Sequence, residues 1–420
     1  MQALRGTKDI LPDDIIFWQH IYEQSLAILT LSNYQEIRTP IIESTSLFER
    51  SIGTETDIVN KEMYTFNDQG KRSITLRPEG TACIVRALIN NQLYKHNSIN
   101  RLWYFGPMFR YERPQSGRQR QFHQLGIECI GNSDATADTE VIRLAYKLIS
   151  MLGCKNFRLE INSIGNPEER ALYEQELSQF LLKYKDGFNE DEKKRLRRNP
   201  LRILDSKNEK IQEILNFAPK INQYLHFNSL NHFENLCTHL NILKIPYTIN
   251  SKLVRGLDYY NYTAFEIKSD ELGSQNTICG GGRYDQLIQQ LGGPNIPSVG
   301  WAIGIERLLL LIKKNINIKK KDPLVYIITQ GSQAKKNIWQ FIEILETHKI
   351  SFELNFKDIN FNKQIKKAYK LGAKVCLILG EEEIAKETIR IKCLLTNYDK
   401  NVQPDQLITK LEYLLQPLTK

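Results

Sequence analysis

Residues 109–128 read FRYERPQSGRQRQFHQLGIE, with arginines at 110, 113, 118 and 120 around a Pro-Gln-Ser-Gly break. The apolar run RLWYFGPMFRYE (101–112) enters the break and RQFHQLGIECIG (120–131) leaves it, which reads as a two-stranded hairpin. Strand side chains alternate faces, so Arg118, Arg120, Phe122, Gln124, Gly126 and Glu128 are expected on one face. Gln121, His123, Leu125, Ile127 and Cys129 fall on the other, mainly packing, face. At about 3.4 Å per residue, the first face and its loop span ~30 Å. Cations, an aromatic ring, an amide, a gap and a carboxylate graded along that length suit a long polar ligand with anionic and aromatic parts, and a nucleotide fits. On the outgoing strand Arg110 and Glu112 share a face, giving a fixed cation for an α-phosphate and an acceptor for an exocyclic amine. Any single arginine here is as well explained by solvation; the graded set is not.

Outward from the hairpin, IIFWQHIYEQSLAILTLSNY (15–34) has helical spacing and YQEIRTPIIEST (34–45) reads as a strand carrying Pro40. KEMYTF (61–66) and SITLRPEG (73–80) are further strands, with a helix from Thr81 to about Asn91, so residues 60–130 suggest an antiparallel sheet. A helix at 136–153 and a strand at 157–165 follow. From about 166 to 245 the sequence is charged and helical, an insertion within the first domain. Strands resume at 245–269, pass three glycines at 280–282, and end in PSVGWAIGIERLLLLIKK (297–314), a strand turning into a buried helix. The lysine-rich linker 313–323 closes a first domain of residues 1–323. Residues 324–420 alternate strand and helix, the rhythm of a small α/β domain with a mostly parallel sheet.

Several motifs outside the hairpin carry polar groups. In TLRPEGTA (75–82), Pro78 and Gly80 turn the chain so that Glu79 and Thr81 project at a helix start. Glu79 there is either an N-terminal cap, the better reading taken alone, or the counter-ion of a substrate ammonium. LVRGLDYYNYTAFEI (253–267) offers Arg255, Tyr259 and Tyr260, which either pack a sheet and pair with a surface acid or line a pocket. CGGGRYD (279–285) lacks the spaced glycines of a dinucleotide or P-loop motif, and its glycines allow a tight turn or close approach to a ligand. Arg307 lies in the first turn of an apolar helix, where the dipole disfavours a cation. Its place there favours a bound anion, such as a terminal phosphate, over a surface salt bridge.

The 420 residues, 41% hydrophobic and 25% charged, suffice for two or three domains with real cores. A net charge of +9 is compatible with a polyanionic partner or with a merely lysine-rich surface. Seven cysteines without a CxxC pair indicate neither a zinc site nor a disulfide framework and suit a reducing cytoplasm. The start MQALRGTKDILPDD lacks an apolar signal core, and no run approaches the ~18 apolar residues of a membrane span, so a soluble, intracellular protein is expected.

Together the motifs resemble the class II aminoacyl-tRNA synthetases, and among them the histidyl-tRNA synthetase family. RGTKDILP, TPIIE with Pro40, TLRPEGT, the 109–128 hairpin, RGLDYY, GGGRYD and GWAIGIERL occur in the family's order over essentially the whole chain. One departure is Trp301, a bulky residue at an apolar position. The resemblance implies an α+β class II catalytic domain with an antiparallel sheet flanked by helices, a helical insertion, and a C-terminal α/β anticodon-binding domain. It implies activation of L-histidine by ATP, with Mg²⁺ held mainly through the ATP phosphates, and transfer to the 3′ end of tRNA(His) by a cytoplasmic homodimer without membrane attachment. Arg110 and Arg255 would be catalytic, Arg110 on the α-phosphate and Arg255 near the histidine carboxylate. Glu79, Thr81 and Gln124 would cradle the ammonium, Glu128 and Tyr260 the imidazole, with Tyr259 lining the pocket. Arg118 and Arg307 would bind outer phosphates, Phe122 and Arg307 would sandwich adenine, and Glu112 would meet its amino group. The loop 113–117 would approach the acceptor end of the tRNA, and lysines at 363–374 its phosphates. The alternative is a non-catalytic paralogue regulating histidine biosynthesis, which would have lost active-site arginines and the C-terminal domain.

Overall fold

The computed structural model describes residues 1–53, 56–115, 117–206, 208–273, 276–318, 323–356 and 360–415. Two compact units, residues 1–318 and the chain from 319 onward, divide the molecule. The first unit runs α1 (Pro12–Leu31), β1 (Gln35–Glu36), β2 (Ile42–Ser44), α2 (Thr45–Ile52), β3 (Tyr64–Asn67), β4 (Ser73–Leu76) and α3 (Thr81–Asn90). It continues with β5 (Asn100–Phe109), β6 (Gln121–Ile130), α4 (Ala135–Met151), β7 (Arg158–Ser163), α5 (Pro167–Leu182), α6 (Glu190–Arg198), α7 (Glu209–Leu215) and α8 (Phe227–Ile242). It ends with β8 (Tyr247–Ile249), β9 (Asn261–Lys268), β10 (Thr277–Arg283), α9 (Leu287–Gln290), β11 (Ser298–Gly304) and α10 (Ile305–Asn315).

Eight strands form one sheet in the order β1-β5-β6-β11-β10-β9-β7-β8, antiparallel except for the outer pairs β1·β5 and β7·β8. One face is covered by α1, α4, α8 and α10. There Trp103, Leu125, Ile127, Phe265, Trp301 and Ile303 form the main core with Ile21 and Leu29 of α1. α1 begins at a proline with Asp13 and Asp14 in its first turn, where the dipole favours acids, and buries Trp18, Ile21, Ser25, Ile28 and Leu29 at helical spacing. Trp301 is accommodated here, its indole N–H donating to Val141 O at 2.9 Å. The opposite face carries Tyr104, Met108, Tyr259, Tyr260 and Tyr284 under α3.

The sequence reading needs three local corrections. YQEIRTPIIEST is not one strand: β1 joins the large sheet and β2 a separate one, with Pro40 between them, where a residue lacking an N–H interrupts any ladder. The strands at 64–67 and 73–76 belong with β2 in a three-stranded sheet, not with the hairpin. The return strand begins at Gln121, so Arg118 and Arg120 lie outside the regular alternation.

Between 166 and 245 every described regular element is helical. α5 and α6 each open with an asparagine capping box, Asn166/Glu169 and Asn189/Glu192. Tyr173, Leu177, Leu181, Leu201, Ile211 and Leu225 belong to a core of the insertion's own, whereas Leu236 and Leu240 of α8 join the main core.

The second unit comprises β12 (Val325–Thr329), α11 (Ser332–Thr347), β13 (Phe352–Leu354), α12 (Phe361–Lys370), β14 (Val375–Leu379), α13 (Glu381–Ala385), β15 (Ile389–Cys393), β16 (Asp399–Val402) and α14 (Leu407–Leu415). Its sheet, ordered β13-β12-β14-β15-β16, is parallel across the first three strands and antiparallel across the last two pairings. The helical crossovers α11 and α12 permit the parallel pairings, and the short turn between β15 and β16 permits only the antiparallel pairing of those two strands.

Candidate active site

The register of the large sheet lays a floor of small residues. Gly126, Ala302 and Gly280 stand side by side on β6, β11 and β10, and Glu266 of β9 follows them. The next row is Glu128, Gly300, Gly282 and Ala264. The three glycines of CGGGRYD therefore make neither a turn nor a loop: they lie within β10. A Cβ on Gly280 would stand 2.3 Å from Arg255 Nη2, and one on Gly282 2.8 Å from the Tyr260 ring. Glycine there lets those side chains lie flat on the sheet.

Above this floor opens a cleft of about 260 Å³. Glu79, Thr81, Arg110, Glu112, Arg118, Phe122, Gln124, Arg255, Tyr259, Tyr260 and Arg307 all line it. Of the residues singled out from sequence as binding groups, Glu128 is not on its wall. Arg120 also turns away, its guanidinium 3.7 Å from the centroid of the Tyr111 ring.

The arginines are held but not saturated. Arg110 donates from Nε to Pro78 O at 2.8 Å, lies 5.3 Å from the Phe122 ring centroid, and stands 3.9 Å from Glu112. Arg118 pairs with Glu112 at 2.9 Å, so the carboxylate read as an adenine acceptor is engaged by an arginine in this state. Arg307 donates to Thr277 O at 2.7 Å. Burial, and next the charge of Arg118, lower its pKa from the usual arginine value. Arg255 pairs through Nη1 with Glu266, lies 5.6 Å from the Tyr260 ring centroid, and keeps its buried Nε without a hydrogen-bond partner. Gln124 Oε1 is likewise buried and unpartnered. Leaving a buried polar atom unpaired costs ~1–3 kcal/mol, which a polar ligand in the cleft would recover.

The acids divide by depth. Glu79 does cap α3: its two oxygens accept the N–H groups of Thr81 and Ala82, each at 2.7 Å, while it also borders the cleft. Burial raises its pKa despite those bonds. Glu128 lies beneath Thr81, whose hydroxyl donates to one carboxyl oxygen at 2.8 Å, while the Tyr284 hydroxyl donates to the other. Burial pushes Glu128 up to about 8. Two working acids were not anticipated from sequence. Glu266, which holds Arg255, also binds Lys268 at 3.1 Å and Thr277 Oγ1 at 3.1 Å. Glu306 borders the cleft and accepts the His123 backbone N–H at 3.0 and 2.9 Å. Its place in the first turn of α10 was a usable signal, because acids are favoured there.

A hairpin, a helix N-terminus and an irregular segment that bring four unsaturated arginines over an antiparallel floor fit the catalytic unit of a class II aminoacyl-tRNA synthetase. A profile described as histidyl-tRNA synthetase matches residues 6–308, and one described as anticodon binding domain matches residues 324–414. The chain belongs to the histidyl-tRNA synthetase family. The chloroplastic histidine–tRNA ligase of Gracilaria tenuistipitata var. liui is 63% identical over 394 residues, 94% of each chain. The histidine–tRNA ligase of Rippkaea orientalis is 48% identical over 420 residues, covering 100% of this chain and 98% of that protein. The crystal structure of apo S. aureus histidyl-tRNA synthetase superposes with a TM-score of 0.82 at 36% identity over 99% of both chains.

Proposed function

We propose that this chain is a histidine–tRNA ligase that joins L-histidine to ATP and passes the histidyl group to tRNA(His). A carboxylate oxygen of histidine attacks the α-phosphorus, the bond to pyrophosphate breaks, and the 3′-terminal adenosine hydroxyl then displaces AMP from the acyl carbon. Both steps move negative charge between phosphorus and carboxylate. Fixed guanidinium groups stabilise that charge without reorganising, at ~10²–10³ in rate per well-placed donor. The observation that carries this reading is the convergence of Arg110, Arg118, Arg255 and Arg307 on one cleft.

Arg110 takes the α-phosphate and Arg255 the carboxylate side. Arg118 and Arg307 take the outer phosphates, and Phe122 with Arg307 encloses adenine. Glu112 meets the adenine amino group once its pairing with Arg118 gives way to phosphate. Glu79, Thr81 and the unpartnered Gln124 Oε1 receive the ammonium group. Tyr260, with Tyr259 beside it, meets the imidazole, and Glu128 acts from behind Thr81. A pocket of buried polar partners rejects amino acids that leave them unpaired by ~10⁴–10⁵. Among the described residues no group of three His, Cys, Asp or Glu side chains makes a ready metal cage. We place a Mg²⁺ as a companion of the ATP phosphates, with Glu112 and Glu306 as the bordering carboxylates; when bound, it would neutralise phosphate charge.

The unit after residue 319 takes tRNA, and Lys363, Lys366, Lys367, Lys370 and Lys374 are its basic candidates for phosphate contact. The loop 113–117 is assigned to the acceptor end, although its Ser116 lies outside the described residues. A homodimer through the TPIIE segment is supported by exposed Ile41, Ile42 and Phe66 on or beside the small sheet. Seven free cysteines suit a reducing compartment, a cytoplasm or, as for the Gracilaria relative, a chloroplast. No helix among the described residues is long and apolar enough to cross a membrane. The regulatory alternative is disfavoured by the retained arginines and the retained second unit. The test is ATP–pyrophosphate exchange with each of the twenty amino acids: exchange with histidine alone is expected, and exchange with none, from folded protein, would overturn the proposal.

A further inference from the structure

The acid of RGLDYY, Asp258, has no place in the chemistry above, yet the insertion converges on it. Arg202, in the short turn Pro200–Ile203, donates from Nη2 to Gly256 O at 3.0 Å and to Asp258 Oδ1 at 3.3 Å. Asn199 donates to the same oxygen at 3.3 Å. Arg170 of α5 donates from Nη1 to Asp258 O at 3.2 Å and Tyr260 O at 2.8 Å. The other Asp258 oxygen abuts Gly53, where a Cβ would stand 2.5 Å away. Residues 250–260 belong to no helix or strand, so no ladder fixes the backbone that carries Arg255, Tyr259 and Tyr260. Instead, the carbonyls at 256, 258 and 260 are gripped from the insertion, while the side chains of Arg255, Tyr259 and Tyr260 face the active cleft. A second cleft of about 190 Å³, between the insertion and this segment, shares Arg255, Leu257 and Tyr260 with the first.

We propose that Arg170, Asn199 and Arg202 are positioning residues of the histidine pocket, acting through Asp258 and the carbonyls of 256–260. The inference rests on the reading of the cleft as a histidine and ATP site. It makes the insertion part of the amino acid site, whatever it does for tRNA. A displacement of ~1 Å in a reacting arrangement can cost 10²-fold, so slack in this segment is felt at Arg255 and Tyr260. Groups assigned to ATP come from elsewhere, Arg110, Arg118 and Phe122 from the hairpin and Arg307 from α10, so the defect is expected to be one-sided.

The experiment is pyrophosphate exchange on the full chain for wild type, Arg202→Gln, Arg202→Lys, Asp258→Asn and Arg170→Gln, with KM measured separately for histidine and ATP and a melting curve for each. KM for histidine is expected to rise tenfold or more in Arg202→Gln, Asp258→Asn and Arg170→Gln, with KM for ATP within twofold of wild type and folding intact. Arg202→Lys, which keeps the charge, is expected to recover part of the loss. The double variant Arg202→Gln with Asp258→Asn is expected to be little worse than either single one, because both act on one contact. Unchanged KM for histidine in all variants would overturn the inference, as would parallel rises in both KM values accompanied by a lost melting transition. A wild-type protein without histidine-dependent exchange would instead remove the reading of the site, and this inference with it.

Discussion

Arg283 on β10 and Arg255 on the irregular segment that lies over β10 both face carboxylates, but they are held in opposite ways. The Arg283 side chain is 1% exposed, and all five of its N–H donors are used, on Asp138, Asp285, Asn132 O and Asp134 O. Arg255 is 15% exposed, and among the described residues its ion pair is with Glu266 and its Nε has no partner. Arg110, at 20% exposure, makes a single hydrogen bond through Nε. A saturated arginine locks β10 to α4 and has nothing left for a ligand. Unsaturated ones, positioned by a carbonyl or a single acid, keep donors free, and on the proposed reading these meet charge that arrives with substrate.

Substitution should separate the two roles, and the largest effect is expected at the saturated site. Arg283→Met strands the buried Asp138 and should cost the first unit ~3–5 kcal/mol in urea unfolding, leaving the KM values of the surviving folded enzyme near wild type. Burial pushes Asp138 up, but Arg283 and His232 outweigh it and hold its pKa down at about 2, against an ordinary 3.8. Its stabilising share is therefore present above pH 3.8 and lost as pH falls toward about 2, and the variant, which keeps only His232 beside Asp138, should show less of that acid-side loss.

Arg255→Ala should do the reverse. A fall of ~10²–10³ in histidine-dependent exchange is expected with melting little changed, since Glu266 keeps Lys268 and Thr277. A large stability loss there, or a large loss of activity per folded molecule in Arg283→Met, would break the distinction. A gentler probe is the floor itself. Gly280→Ala must push Arg255 aside, whereas Gly304→Ala meets nothing within 4 Å. The first should raise KM for histidine several-fold and the second should leave it unchanged.

The last expected effect is a slope rather than a loss on substitution. Burial raises Glu128 from 4.5 to about 8, so between those pH values the folded protein holds a proton that the unfolded chain releases. Stability should fall as pH rises through that window, by up to ~1.4 kcal/mol per pH unit from this group. Glu128→Gln should flatten the fall, as read from unfolding curves of both proteins at several pH values.

Legibility in the sequence followed the regularity of the backbone. Phe122 and Gln124 reached the cleft because they sit on β6, where alternation holds. Arg120 did not, because it precedes the strand and stacks on Tyr111 instead. Glu128 is in phase, yet Thr81 from another element lies between it and the cleft. The triple glycine gave no local sign of being a strand, since the side chains that need its space, Arg255 and Tyr260, come from an irregular segment more than twenty positions earlier. The Arg283–Asp138 pair joins residues 145 apart, and the grip of Arg170 and Arg202 on 256–260 spans 90 and 54 positions. Motif order exposed the cleft's contents, but not what holds them in place.

The most direct measurement is a crystal structure of the protein with a non-hydrolysable histidyl-adenylate analogue. The expected result is Arg110 and Arg255 donating to the groups that stand for the α-phosphate and carboxylate, and Arg118 released from Glu112, with the five bonds of Arg283 unchanged. An analogue bound away from these arginines, or one whose binding rearranges Arg283 and leaves Arg255 untouched, would contradict the division between saturated and waiting arginines.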